Sequence, residues 1–521
     1  MNGAECLLRT LLANDVSVCL MNPGTSEMQF VSALDRVPGM RGILCLFEGV
    51  CSGAADGYAR MTGKPAATLL HLGPGLANSL SNFHNARKAR SPVVSVVGEH
   101  STGHLRYDAP LASDTEAFAR TVSGWVRTLE SPDSMGAAAS AAVAAATQPP
   151  GQIATLIIPA DFSWSEAGVP GCAAPRVSRR VPGMESIREA ARILRSGEPA
   201  GLLLSGGALQ RRGLEAAGRL RAATGVRVFG DRYAARMERG GGLFAAARIP
   251  YFPEPAQAML AGLRRLILVE ARPPVSFFGY PGLRSSLAPE DCEVHVLASL
   301  EEDGPAALEA LAAECGAEAP RRGSEARAGQ PALPSGERLT AAAIGRTLGA
   351  LLLEGAILSD ETVSSNEAIW PHLAQAPRHD YLPVTGGSIG QGLPVALGAA
   401  LACPDRKVIA LEADGSGMYT LQSLWTMARE RLDVVAVILA NRRYRILDIE
   451  MRRTGAGAVG PAAERMIDIG QPEVDWVKLA EGLGVQAARA NTANEFVREF
   501  GAAMAEQGPR LIEAVLCPGQ E

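Results

Sequence analysis

Short apolar runs, almost free of charge and separated by helix-length segments, recur along the whole chain. No other feature restricts the fold as much. In the first third the runs stand at residues 16–20, 42–47, 66–72, 93–97 and 154–159. A strand with one wet face alternates polar and apolar residues, whereas an unbroken apolar run suits a parallel strand covered on both faces. Helical patterns fill the gaps at 27–34, 53–60 and 77–87. Strands spaced by helices give βαβ units and a parallel sheet.

The rhythm breaks twice. Residues 168–181 are rich in Pro and Gly, and residues 316–336 in Ala, Gly, Pro and Arg, so both read as linkers. Between them, runs at 202–204, 226–229, 266–269 and 294–297 mark a middle unit. A helix near 339–352 and runs at 356–359, 407–413, 434–439 and 511–515 mark the last. A chain of 521 residues exceeds what one core holds. The expected fold is α/β, with three doubly wound parallel-sheet domains over residues 1–170, 185–315 and 336–521.

A net charge of −5 gives no electrostatic reason to bind nucleic acid or an anionic membrane. The Arg211-Arg212 and Arg321-Arg322 pairs are short and read as solvated surface. The alanine-rich stretch 137–146 is too short to span a bilayer, and Glu5, Arg9 and Asp15 interrupt any signal-like block. Nine scattered cysteines without a C-x-x-C pair suit reduced thiols in the cytoplasm.

Chemistry concentrates in three places. Ala413-Asp414-Gly415-Ser416 follows an apolar run, and Asn441 follows the next one. Open α/β sheets bind ligands at such strand ends, where Gly415 admits a phosphate and a helix N-terminus favours an anion. Asp and Asn oxygens on neighbouring strands suit Mg2+, a hard cation. Glu48 follows the run ending at Phe47 and is expected at a strand end, where a carboxylate is costly to bury without a use. The alternative is a helix N-terminal charge. Gly386-Gly387-Ser388-Ile389-Gly390-Gln391-Gly392 implies close backbone approach to a ligand.

Together these residues resemble the motifs of the thiamine-diphosphate-dependent 2-oxoacid decarboxylase and acetolactate synthase superfamily. The resemblance implies thiamine diphosphate and Mg2+ as cofactors, with Asp414, the Asn441 side chain and the Arg443 carbonyl as metal ligands. Gly387, Ser388, Gly415, Ser416 and Tyr444 would line the cofactor. Ile389 would wedge its two rings into a bent form, and Glu48 would hydrogen-bond N1′ of the aminopyrimidine. Ala413, Ala440 and Arg443 depart from the usual residues. The implied reaction is decarboxylation of a 2-oxoacid through a C2 ylide and an enamine. The implied assembly is a homodimer or homotetramer with active sites between subunits.

At the substrate end, Thr25 and His71 match the Ser and His of benzoylformate decarboxylases, the most similar members. Ser26 reads equally as a helix cap. A histidine at a strand end suits proton transfer. The second histidine of those enzymes has no counterpart, the comparable segment being Pro274-Val275-Ser276-Phe277-Phe278-Gly279-Tyr280; His100 and His104 are candidates to act instead, and otherwise read as exposed loop histidines. Gly73-Pro74-Gly75-Leu76-Ala77-Asn78 resembles half a dinucleotide fingerprint and lacks the third Gly. Acetolactate synthases bind FAD in their middle domain. No matching motif stands between residues 201 and 300, and FAD is not expected. The other readings are an acetolactate synthase-like catalytic subunit and a non-catalytic protein that keeps the fold.

Overall fold

In the computed structural model residues 1–517 are described, apart from 176, 318–330, 337 and 458. Most of the second expected linker, with Arg321-Arg322, therefore lies outside the described residues. The apolar runs of the first third become a parallel sheet of β1 (Val18–Asn22), β2 (Arg41–Leu44), β3 (Ala66–Leu70), β4 (Val93–Glu99), β5 (Trp125–Thr128) and β6 (Ile153–Pro159). Their order is β2-β1-β3-β4-β6-β5. Every residue of β3, β4 and β6 is buried, as unbroken apolar runs require.

The middle segment contributes β7 (Ala200–Leu204), β8 (Arg227–Gly230), β9 (Met237–Arg239), β10 (Ala247–Arg248), β11 (Arg265–Val269) and β12 (Glu293–Ala298). Five of these form a second parallel sheet, ordered β10-β8-β7-β11-β12. The sixth, β9, departs from the expected pattern. It leaves its neighbours and pairs antiparallel with β14 (His379–Pro383) at the edge of the third sheet.

That sheet also holds β13 (Ala356–Glu361), β15 (Val408–Ala413), β16 (Val434–Ala440), β17 (Gln486–Ala490) and β18 (Arg510–Val515), in the order β17-β18-β16-β15-β13-β14-β9. β14 escapes a hydropathy reading because it carries His379 and Asp380, yet all five of its residues are buried. Asp380 is compensated there by Arg236 at 2.6 Å and Arg406 at 2.5 Å.

First and third domains are clasped through helices Glu48–Thr62 and Gly392–Ala402. A Cβ on Gly57 would lie 2.1 Å from the Val395 carbonyl oxygen, and one on Gly398 1.9 Å from that of Ala54, so glycine sets this approach. Beside the crossing, Arg60 pairs with the buried Asp56 and donates to the Pro383 carbonyl at 2.9 Å and the Thr385 hydroxyl at 3.0 Å. This buried pair ties the first helix to the start of the glycine loop.

Candidate active site

Glu48 is the first residue of helix Glu48–Thr62, after an extended Phe47. This corrects the strand-end expectation, since β2 stops at Leu44. The helix dipole favours a carboxylate at this position. Glu48 is buried, and two neutral amides hold it. Asn22 Nδ2 donates to Oε1 at 3.0 Å, and Asn78 Nδ2 to Oε2 at 2.9 Å. Asn22 ends β1 and Asn78 lies in helix Leu72–Ala89. The Gly73–Asn78 stretch is therefore the first part of that helix, and its Asn78 holds Glu48.

His71 is the residue before that helix. Its Nδ1 lies 2.8 Å from Oε2 of Glu27 and 3.2 Å from Ser26 Oγ. Glu27 is fully buried and also accepts the Gly24 N–H at 2.9 Å and the Ser26 hydroxyl at 3.0 Å. Ser26, rather than the exposed Thr25, thus places a hydroxyl at His71, and it is not a helix cap. A Cβ on Gly75 would stand 3.4 Å from His71 Cβ and 3.5 Å from Glu48 Oε1, which puts both groups around one backbone position. Sequence reasoning missed Asn22, Glu27 and Asn78. Only Glu27 left a signal, three residues after Gly24 in capping-box spacing.

The glycine loop is fastened from both domains. Glu361, the last residue of β13, accepts the N–H groups of Gly390 at 2.7 Å, Gln391 at 2.8 Å and Gly392 at 2.5 Å. Asn85 holds Ser388 through its carbonyl at 2.8 Å and its N–H at 3.2 Å. Asn82 donates to both Gly390 O at 3.0 Å and Gly49 O at 2.8 Å, which links the loop to the start of the Glu48 helix. Gly387 and Gly390 adopt φ of 77° and 90°, the left-handed region that suits glycine. Ile389 lies between them, half-buried. Against Glu361 lies the fully buried carboxyl of Glu412. Burial pushes both groups up, Glu361 to about 7, and repulsion from Glu361 adds to the rise at Glu412.

At the diphosphate-type end, Asp414 follows β15 and Asn441 follows β16, as expected. Asp414 Oδ1 accepts the Gly415 N–H at 2.8 Å and Oδ2 the Arg442 N–H at 2.6 Å, so the carboxylate is tied to the turn containing Asn441. Burial pushes Asp414 up to about 6. Asn441 Oδ1 accepts the Arg443 N–H at 3.0 Å, and the Arg443 carbonyl accepts the Arg445 N–H at 2.9 Å. Each of these oxygens keeps a further lone pair. The Arg443 guanidinium is engaged by Asp448 and Glu464. Ala413 has φ −73° and ψ 142°, open to any residue, so its replacement of Gly costs nothing in backbone strain. Ser416 is buried after Gly415, and the Tyr444 ring covers Gly415, 2.4 Å from where a Cβ would stand.

Phe277 lies against the loop, its ring 2.4 Å from a Cβ placed on Gly387. Tyr233, Tyr251 and Phe278 surround it with ring centroids 5.7, 5.3 and 4.7 Å away. The segment that lacks a histidine is therefore an aromatic wall beside Gly387. His100 and His104 pack against each other at a tilt, ring centroids 5.3 Å apart, in a separate loop, with His104 exposed. Among the described residues no helix is long and apolar enough to cross a membrane.

The geometry can be set beside known proteins. Residues 1–120 match the family described as "Thiamine pyrophosphate enzyme, N-terminal TPP binding domain", and residues 364–514 its "C-terminal TPP binding domain". The chain is 52% identical over 520 residues to "Putative acetolactate synthase large subunit IlvX" of Mycobacterium tuberculosis, covering 99% of both. It is 30% identical to "Benzoylformate decarboxylase" of Pseudomonas aeruginosa, covering 94% of both. Its fold superimposes with a TM-score of 0.85 at 24% identity, over 100% of both chains, on the thiamine diphosphate-dependent 4-hydroxybenzoylformate decarboxylase of Rhodococcus jostii RHA1.

Proposed function

This chain belongs to the thiamine pyrophosphate enzyme family, and from that premise we propose that it is a lyase or carboligase that decarboxylates a 2-oxoacid. The observation that carries the reading is the oxygen set at the ends of β15 and β16. Asp414, raised to about 6 by burial, is a carboxylate that a cation would stabilise, and Asn441 Oδ1 and the Arg443 carbonyl supply further hard oxygens. These three would hold Mg2+, and Gly415, Ser416 and Tyr444 would border the diphosphate.

Thiamine diphosphate supplies, when bound, a carbanion that adds to the 2-oxo carbon and an electron sink for the departing CO2. The chain's residues do the rest. Glu48, fixed by Asn22 and Asn78, would share a proton with the aminopyrimidine N1′. The loop anchored by Glu361 would hold Gly387, Ser388 and Ile389 against the cofactor. His71, oriented by Glu27 and joined by Ser26, would move a proton at the substrate, with Thr25 at the mouth. Phe277 and its neighbours favour an apolar or aromatic side chain on the 2-oxoacid and exclude water.

The two halves of this site would meet across a homodimer or homotetramer interface. Leu46, Met418 and Tyr419 flank Glu48 and Asp414, and they are 45%, 40% and 53% exposed, apolar surface that a second copy would cover. The free cysteines among the described residues suit a reducing cytoplasm.

A second reading, acetolactate synthase-like carboligation, is favoured by the relative at 52% identity. Calorimetry with thiamine diphosphate and Mg2+ tests the family chemistry, and absence of binding would favour a non-catalytic role. A 2-oxoacid screen for CO2 release beside a colorimetric acetolactate assay separates the two reactions.

A further inference from the structure

The middle domain has a ligand-type edge of its own. Its strand order β10-β8-β7-β11-β12 reverses between β7 and β11, and open α/β sheets take ligands outside the strand ends at such a point. Ser205-Gly206-Gly207 follows β7, and Gly304 opens helix Gly304–Glu314. Amides and glycines so placed are what a diphosphate needs.

Here a side chain has taken the place. Glu270 follows β11 with φ of 50°, a left-handed conformation unusual for a residue with a side chain. Its Oε2 accepts the Gly207 N–H at 2.8 Å, and its Oε1 accepts the Gly304 N–H at 2.8 Å. Arg179 Nη1 lies 3.0 Å from Oε2. A Cβ on Gly206 would stand 2.1 Å from Glu270 Oε2, and one on Gly304 2.7 Å from Oε1. The glycines that elsewhere admit a phosphate admit this carboxylate. A second acid, Asp231, is held by the Ser205 hydroxyl at 2.8 Å and lines the same cavity of about 350 Å3. A diphosphate entering there would find the amides already taken by Glu270, and would meet two carboxylates among the cations Lys88, Arg90 and Arg179 that line the same cavity.

We propose that Glu270 is a built-in anion filling the phosphate seat of the middle domain, so that this domain binds no dinucleotide. The flavin implied by the acetolactate synthase resemblance then finds no free diphosphate seat at this edge of the middle sheet. The inference is independent of the active-site reading, because it concerns a different sheet.

The test uses the full chain loaded with thiamine diphosphate and Mg2+, so that added anions do not report on the other site. The wild-type protein is expected to show no flavin band as isolated and no change in flavin anisotropy on titration with FAD. Glu270→Ala is expected to melt at a lower temperature and to regain stability with added ADP or pyrophosphate, while the wild type does not respond. Should Glu270→Ala fail to fold, Glu270→Gln, which keeps one acceptor oxygen, carries the second arm. Stoichiometric or saturable FAD in the wild type overturns the proposal. So does a Glu270 variant with wild-type melting and no response to anions.

Discussion

Nδ1 of His71 lies 2.8 Å from Oε2 of Glu27, whose carboxylate is fully buried and takes two further hydrogen bonds. The imidazole is thereby held in one orientation, with Nε2 left for a reacting group. Glu27→Gln keeps the shape and removes the charge. Turnover is expected to fall about 10- to 100-fold, within the range for a disturbed general acid–base group. Affinity for thiamine diphosphate should stay within about twofold, because Glu27 does not border the cofactor in this account. Steady-state kinetics with calorimetry check both.

Glu48→Gln should separate binding from chemistry more sharply. The amide keeps one oxygen, which still accepts from one of Asn22 and Asn78, but it cannot share a proton with N1′. Cofactor binding should persist while turnover drops by about 10²-fold or more. Near wild-type rates would contradict the assigned role.

Glu361 and Glu412 are neighbours in the fold but differ in what their loss exposes. Glu361→Ala would leave three loop N–H groups without an acceptor. It should destabilise the chain by about 2 kcal/mol or more and loosen cofactor binding. Glu412→Gln removes one acid of a crowded pair and should leave stability nearly unchanged. Chemical denaturation of the two variants side by side checks the contrast.

His379 provides a pH signature. Burial, with a smaller push from Arg239, holds its imidazole down to about 4, from an ordinary 6.5. Between these values the unfolded chain binds the extra proton and the folded chain does not. The stability is full above pH 6.5 and is lost as pH falls toward 4, by about 2 kcal/mol between pH 7 and pH 5. His379→Gln should flatten this part of the stability curve, measured by denaturation at the two pH values.

Much of the fold was legible because buried parallel strands are written as unbroken apolar runs. β3, β4, β6, β15 and β16 all stand where such runs occur. Five strands among the described residues escaped, for different reasons, and the two-residue β10 is too short to leave a run. β5 and β17 are half-exposed strands at sheet edges, and β14 buries charge that only tertiary partners such as Arg236 and Arg406 neutralise. β9 could not be read because its partner belongs to another domain. At the site, Glu48, Asp414 and Asn441 stood out through local motifs. Asn22, Asn78 and Glu361 did not, since each matters only through a residue distant in sequence. The Thr25–Ser26 choice turned on one residue of turn geometry, which sequence spacing does not resolve.

The central claim is that one bound cofactor touches Glu48 of one copy and Asp414 of another. Mixing two inactive variants, Glu48→Gln and Asp414→Ala, under conditions that let subunits exchange tests it most directly. Subunit exchange at equal amounts should restore about a quarter of the wild-type CO2 release, because half of the pairs are mixed and each holds one intact site. If exchange is verified and the mixture stays as inactive as its parts, the two residues do not serve one cofactor between copies, and the account fails.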